Sequence, residues 1–569
     1  MNPVHHLSGS APGGTNDDLL SKDFEKSGTN ESSWTFRELD VDPGPRAANP
    51  RDASTNSSDL EKQSQENPRA HIFLTRPMTT LHEIAFFMIV ATANFTPLSG
   101  FHQTLCILHI IGDDLGVTNP GQLVWLMSGY GLTVGTFILP AGRLGDVYGY
   151  KRVFVLGNLW FAAFSLLAGL ATYAGSGRGY AVFLVSRIMQ GVGPALLIPN
   201  AVALLGVTYV PGPRKAMLFA LFGAVAPASA VISPAVTSLF AMVWWPSAFW
   251  ALALVLVVVA LAAVHIVPDV PPSPEKTAAQ QQQQPQESGF RRFCAELDVL
   301  GAVTGVTGLV LISVAWNQGV VDGGWHSAYT YVLLILGILL CASFACVERR
   351  ARKPLIPLQA LRNPGVAFVL AAVSCGWGCF GIYIYYVWEF YEVARGASPL
   401  LATAWHSPIL VSGVAAAVTT GLAIHRVGPA AVMALALLAF TAGTALIATA
   451  PVDQTYWAQT FLCNVVVTWG MDLSFPAATL VLSDLVAPEH QGIAASLVTT
   501  VVNYSGALAL GVAGTVEIRV NNGGATPEDV LRGYRGAWYV AIALGALGLA
   551  ISLVFAWRFS RWQRAAAAA

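Results

Sequence analysis

The sequence predicts an all-α membrane protein with fourteen spanning helices, arranged as two six-helix halves plus two inserted helices. Three observations carry that reading: a composition poor in charge, fourteen apolar stretches, and an internal repeat. Of 569 residues, 54% are hydrophobic and 11% are charged, and the mean hydropathy is +0.56. That balance is wrong for a soluble multidomain chain and suits a polytopic membrane protein. A helix crossing a hydrocarbon core of about 30 Å needs about twenty apolar residues. The stretches are 83–108, 122–141, 153–173, 180–207, 216–239, 245–267, 298–316, 328–347, 366–391, 404–425, 430–449, 457–482, 493–516 and 537–558.

The chain divides accordingly. Residues 1–78 are polar, rich in Ser, Asn, Asp, Glu and Pro, with no apolar core; they predict a disordered cytoplasmic tail and no cleavable signal. A six-helix half follows at 79–267. A low-complexity linker with a glutamine run occupies 268–297. Two inserted helices fill 298–347, the second half fills 348–560, and 561–569 form a short tail. The repeat sets this division. Gly193, Pro199 and Pro211 recur at Gly470, Pro476 and Pro488, each 277 residues on. Both segments run from a span into a short loop, as expected of duplicated halves.

Charge sorts by loop and orients the chain. An even number of spans puts both termini on one side. That side holds seventeen basic residues, from Arg143 to Arg564, whereas the other holds Arg178, Arg395, Arg519, Arg532 and Arg535. The excess predicts cytoplasmic termini. The seven cysteines need no disulfides, and none shows zinc-ligand spacing. Neither a phosphate-binding Gly-x4-Gly-Lys-Ser/Thr loop nor a nucleophile–base set is present. These absences argue against an enzyme and an ATP-driven pump, and no cofactor, metal or nucleic-acid partner is expected.

Between spans 2 and 3 stands Gly142-Arg-Leu-Gly-Asp146-Val-Tyr-Gly149-Tyr-Lys151-Arg152. Gly142 is placed as the residue ending span 2, so the segment makes a tight hairpin. Asp146 is suited to capping a helix N-terminus, and Lys151 and Arg152 to anchoring the next helix. A copy lacking the aspartate, Gly421-Leu-Ala-Ile-His425-Arg426-Val-Gly428, follows span 10.

Polar groups inside spans are functional candidates, because a charge at the bilayer centre costs about 2.5–3.5 kcal/mol on insertion scales. Arg187 and Gln190 lie one turn apart in span 4. Asp472, in span 12, reads as the one acidic residue well inside a span. Asn94, Thr96, Ser99, His102 and Gln103 make span 1 too polar for lipid, so one face is expected to line a cavity. Span 9 carries Trp377, Phe380, Tyr383, Tyr385, Tyr386, Trp388, Phe390 and Tyr391, with Glu389 and Glu392 near its outer end. Such a face holds flat or cationic compounds by stacking and cation–π contact; its outermost members read as an interfacial belt.

The loop at Gly142–Arg152 resembles the signature loop of the major facilitator superfamily, and Arg187-Ile-Met-Gln190-Gly191 resembles that family's helix 4 motif. With Thr96–Leu105, Trp244–Trp250 and Trp469–Pro476, the chain is similar to the fungal fourteen-helix drug:proton antiporter branch, and within it to the aminotriazole-resistance family. The resemblance implies a major facilitator fold and a monomeric plasma-membrane exporter of small toxic compounds, drugs or secondary metabolites. Gly142, Asp146, Gly149, Lys151 and Arg152 then form the conformational switch. Arg187, Gln190 and Asp472 serve proton coupling. Asn94, His102, Gln103, Trp377, Tyr383 and Trp388 line the cavity. Relatives link the same fold to borate or ammonium movement, and a non-transporting sensor is the remaining alternative. One departure stands in span 5, Gly223-Ala-Val-Ala-Pro227-Ala-Ser-Ala-Val-Ile-Ser-Pro234, with Ala and Ser where that branch carries several glycines; looser packing is expected there.

Overall fold

The structure is a computed structural model that describes residues 79–568 apart from 118, 176, 210–211, 270–296, 320–323, 352–353, 357–362 and 486–490. The predicted tail 1–78 and most of the predicted linker 268–297 therefore lie outside the described residues.

Among the described residues, fourteen helices or helix pairs are long and apolar enough to cross a membrane. The first half comprises α1 (Thr80–Leu105), α2 (Leu108–Asp114), α3 (Pro120–Tyr148), α4 (Tyr150–Leu170), α5 (Arg178–Gln190), α6 (Val192–Thr208), α7 (Pro213–Ala241) and α8 (Pro246–Ile266). The inserted pair is α9 (Val299–Gln318) and α10 (Ala328–Glu348). The second half runs through α11 (Pro364–Glu389), α12 (Pro399–His406), α13 (Pro408–Val427), α14 (Pro429–Ala448), α15 (Gln459–Leu485), α16 (Gln491–Val520) and α17 (Pro527–Ala568). A π turn, Phe390–Ala394, extends α11. Helices α5 and α6 share one span, as do α12 and α13.

Local sequence explains the helix ends. Asn119 and Asn363 each precede Pro-Gly, and their side chains accept from Gly121 N and Gly365 N. An Asn cap before a proline at the first helical position suits both requirements of a helix start. Between α3 and α4 the whole connection is Gly149, at φ +94°, a value that an L side chain adopts only with strain. The second half repeats this joint at Gly428, φ +86°, between α13 and α14.

Two expectations need correction. Gly142 does not end span 2; the helix continues nearly two turns further, through Asp146 to Tyr148, and stops at Gly149, whose φ of +94° leaves the helical region. Nor is α7 loosely packed. Ser229 donates to Phe95 O at 2.7 Å, its hydroxyl lies 3.1 Å from that of Ser99, and Ser233 donates to Ser99 O at 3.1 Å. The serines that replace glycines thus tie α7 to α1 by hydrogen bonds, which hold helices together where no hydrophobic force acts between them.

Within the first half α4 packs on α6 and α8, and α1 on α7; within the second, α14 packs on α15 and α17, and α11 on α16 and α17. The outward faces of α8 and α10 stay apolar, with Leu254, Val258, Leu261, Ile335 and Leu339 all more than half exposed. In water such a surface would be a liability; against acyl chains it is the expected one.

Candidate functional site

The two halves meet along a seam where α3 packs on α16 and α7 packs on α12 and α13. The inserted α9 lies against both α3 and α16. Its Asn317 accepts from Ser128 at 2.9 Å and sits against Gly511 of α16, so the insertion straps one side of the seam.

Burial along the seam is lopsided. On α3 nearly every residue from Gly121 to Thr136 is buried, but beyond it only Ile138, Ala141 and Gly145. On α11 the run Ile382–Glu389 is buried without a gap, and Phe390 and Tyr391 follow. Both runs lie at the end opposite the chain's two described termini, here called the far end. Two hydrogen bonds cross between the halves there: His109 Nε2 to Glu389 Oε2 at 2.9 Å, and Ser238 Oγ to Thr403 Oγ1 at 3.5 Å. The structure is the state closed at the far end.

Arg187 and Gln190 are wholly buried inside the first half. Arg187 donates to Gln190 Oε1 at 2.5 Å and to Leu126 O at 3.3 Å, and its guanidinium lies 4.3 Å from the centre of the Tyr130 ring. Gln190 passes the connection to Ser165 at 2.6 Å, while Tyr130 donates to Pro97 O. One cation thereby joins α1, α3, α4 and α5. Its Nη2 has no hydrogen-bond partner. None of these contacts reaches Asp472.

Asp472 belongs to the seam. A methyl group on Gly413 would meet Asp472 Oδ2 at 3.0 Å and Pro227 Cγ at 2.9 Å, so α7, α13 and α15 converge on this carboxylate. Oδ2 is buried without a hydrogen-bond partner. Besides Asp472, well inside its span, two buried acidic residues lie near the outer ends of spans. Glu517 is 5% exposed and lies within the span 495–520, and Glu389 is buried at the far end of α11. Sequence reading missed Glu517 because the apolar stretch fades at 516; the extension to Val520 depends on packing against α17.

The polar face of span 1 divides. Asn94 donates to Phe222 O at 2.8 Å, and Thr96 bonds its own helix. His102 and Gln103 are buried on the far-end side. His102 Nδ1 bonds Leu98 O at 2.9 Å, an oxygen that can only accept, so Nδ1 carries a proton. His406 of α12 lies between His102 and Trp388, its ring tilted to both, with centroids 6.5 and 5.5 Å away. Gln103 Oε1, Trp388 Nε1 and both His406 nitrogens are buried without hydrogen-bond partners.

The aromatic face of α11 points into protein. Trp377 donates to Ser474 at 3.1 Å, Tyr383 to Asn464 at 2.9 Å, and Tyr386 to Glu517 at 2.7 Å. Phe390 and Tyr391 are at most 1% exposed, which corrects the reading of the outermost aromatic residues as an interfacial belt. Amphipathic rings suit the membrane interface, but here the tyrosine and tryptophan tips turn into the bundle.

At the near end, Asp146 accepts from Tyr150 Oη at 2.7 Å across the Gly149 joint. Lys151 pairs with Asp269 at 3.3 Å. Gly145 faces Asn200 of α6 so closely that a Cβ would overlap Asn200 Oδ1. The motif is thus both joint and contact: Gly149 turns the chain, and Gly145 admits α6.

The family model of the Major Facilitator Superfamily matches residues 84–510. The chain belongs to that superfamily. It is 48% identical over 508 residues to the low affinity ammonium transporter of Saccharomyces cerevisiae, covering 89% of this chain and 95% of that one. It is 41% identical to the efflux pump terJ of Aspergillus terreus, covering 84% and 89%. To the aminotriazole resistance protein of S. cerevisiae it is 34% identical, covering 86% of each. Among solved structures, a POT family transporter superposes with a TM-score of 0.60 at 15% identity, covering 84% and 96%; that likeness concerns the fold alone. The chain is therefore a multi-pass membrane transporter of the facilitator type, acting on small molecules and not an enzyme.

Proposed function

We propose that this facilitator is a proton-coupled exporter of small toxic compounds, with both termini in the cytoplasm of a cell bounded by the membrane it spans. The observation that carries the reading is Asp472: a buried carboxylate with an unpartnered oxygen, set where α7 of one half meets α13 and α15 of the other. A carboxyl at a moving seam meets one neighbourhood when the halves close and another when they part. Its proton occupancy is then linked to conformation, which is what coupling requires. The closed far end supports export, since a compound then enters from the side of the termini. The switch joint at Gly149 supports alternating access, as a one-residue hinge between two long helices.

A second substrate reading, ammonium, is favoured by the 48% identity to a transporter of that name; efflux pumps at 41% and 39% favour organic compounds. Vesicles carrying the purified protein, acid inside, decide between them. The proposal expects aminotriazole to accumulate beyond the level in protein-free vesicles, and a protonophore to collapse the gradient. Accumulation of methylammonium alone would move the substrate to ammonium. Accumulation of both that survives the protonophore would remove proton coupling.

A further inference from the structure

At the far end a buried acidic cluster gathers around one imidazole. His109 comes from α2, in the first half; Glu389 comes from α11, in the second. Their side chains are 33% and 7% exposed, and Nε2 to Oε2 is 2.9 Å. Tyr534 of α17 donates to the same carboxylate oxygen at 3.1 Å. Around this centre stand Asp113 on α2, Cys106 just before it, Tyr385 on α11 and Glu392 on the π turn, whose Oε1 is buried and unpartnered. Glu517 of α16 adjoins from below, held by Tyr386 at 2.7 Å. One imidazole thus faces the carboxyl groups of Glu389, Glu392 and Asp113, and the contact that neutralises one of them is also a contact between halves.

We propose that His109 and Glu389, with Tyr534, form a far-side proton-binding site that latches the two halves: the charged pair holds the far end closed, and a proton taken up by Glu389 from that side releases it. The chemistry is a single proton transfer. A hydronium ion of the far-side medium gives its proton to a Glu389 oxygen; the carboxylate becomes a neutral acid, His109 keeps its own proton, and the ion pair becomes an ordinary hydrogen bond. Charge-assisted bonds are roughly twice as strong as neutral ones, so the closed state loses part of what holds it. The site rests on the reading that the halves part at the far end, and it is separate from Asp472.

A second limb follows from His109. Burial disfavours its imidazolium, yet the carboxylates of Glu389, Glu392 and Asp113 outweigh that, raising its pKa from 6.5 to about 9. A group whose pKa is raised on closure contributes fully below its ordinary value and is lost as the pH passes the raised one. On this limb the latch is therefore whole below about 6.5 and is lost as the pH rises to about 9.

Thr403→Cys reads the latch without substrate or gradient. Thr403 is buried against Ser238 at the far-end seam. Its labelling by a membrane-impermeant maleimide is normalised to Asn522→Cys, at an exposed site, which cancels the reagent's own pH dependence. Labelling should be lowest near neutral pH and rise on both sides, by about fivefold, the low end of coupling between sites. Glu389→Gln and His109→Gln should label at the high level throughout, each serving if the other fails to fold. His109→Lys should restore the minimum and move the alkaline limb upward. A flat wild-type profile, or a wild-type profile in Glu389→Gln, overturns the proposal. Transport failure leaves this result untouched, so the latch and the export reading fail separately.

Discussion

Gly135 lies midway along α3, directly against the backbone of α16 across the seam. A Cβ built there would stand 2.8 Å from Tyr504 N, 3.2 Å from Tyr504 Cα and 3.3 Å from Asn503 Cβ. The first is about 0.6 Å inside ordinary contact, and a helix backbone cannot give way as a side-chain tip would. Gly135→Ala should therefore cost the closed state about 1–3 kcal/mol, the usual range for overpacking. The state with the halves parted does not make this contact and does not bear the cost. The equilibrium should shift toward far-side opening by a factor of about 5–150. Gly381→Ala is the control: its Cβ would stand 2.7 Å from Gly506 Cα, but α11 and α16 belong to the same half and stay together. Maleimide labelling at Thr403→Cys should rise in Gly135→Ala and not in Gly381→Ala, while thermal stability falls in Gly381→Ala. If Gly135→Ala lowers the melting temperature and leaves labelling unchanged, α3 and α16 do not separate, and the two-state reasoning is wrong.

Arg187→Lys keeps the charge but loses the fork that reaches Gln190 and Leu126 together. It should cost about 1.5–3 kcal/mol in melting experiments, the range for bonds to charged groups; a change within the error of the measurement would remove Arg187 as the tie of the first half. Asp146→Asn keeps an oxygen for Tyr150 but removes the charge beside the Gly149 joint. Turnover should slow while substrate affinity stays within about fivefold, and a large loss of affinity at normal turnover would place Asp146 in recognition instead.

The spans were legible because lipid leaves no alternative: an unbroken apolar stretch must carry its backbone hydrogen bonds internally. The Gly149 joint was legible in type but not in place. A glycine at Gly142 and another at Gly149 satisfy the same pattern, and only the packing of Gly145 on Asn200 decides that the helix continues. The aromatic residues of α11 misled for a related reason. Phe390 and Tyr391, the outermost of them, have the composition of an interfacial belt, and hydropathy does not distinguish a lipid neighbour from a protein one. His109 fell one residue beyond the predicted edge of span 1, and its partner Glu389 is 280 residues away. Nothing local marks such a pair. Arg187 and Asp472, linked by charge in the sequence, turn out to serve different places, one inside the first half and one on the seam.

Asp472 bears the central claim, and one measurement tests it. In sealed vesicles with an acid interior, the wild-type protein should concentrate a radiolabelled substrate against its gradient. With Asp472→Asn, which keeps the shape and removes the titrating group, the account predicts that uphill accumulation disappears while exchange of labelled for unlabelled substrate continues. If the Asn variant still concentrates substrate, Asp472 is a packing residue and the proton travels elsewhere.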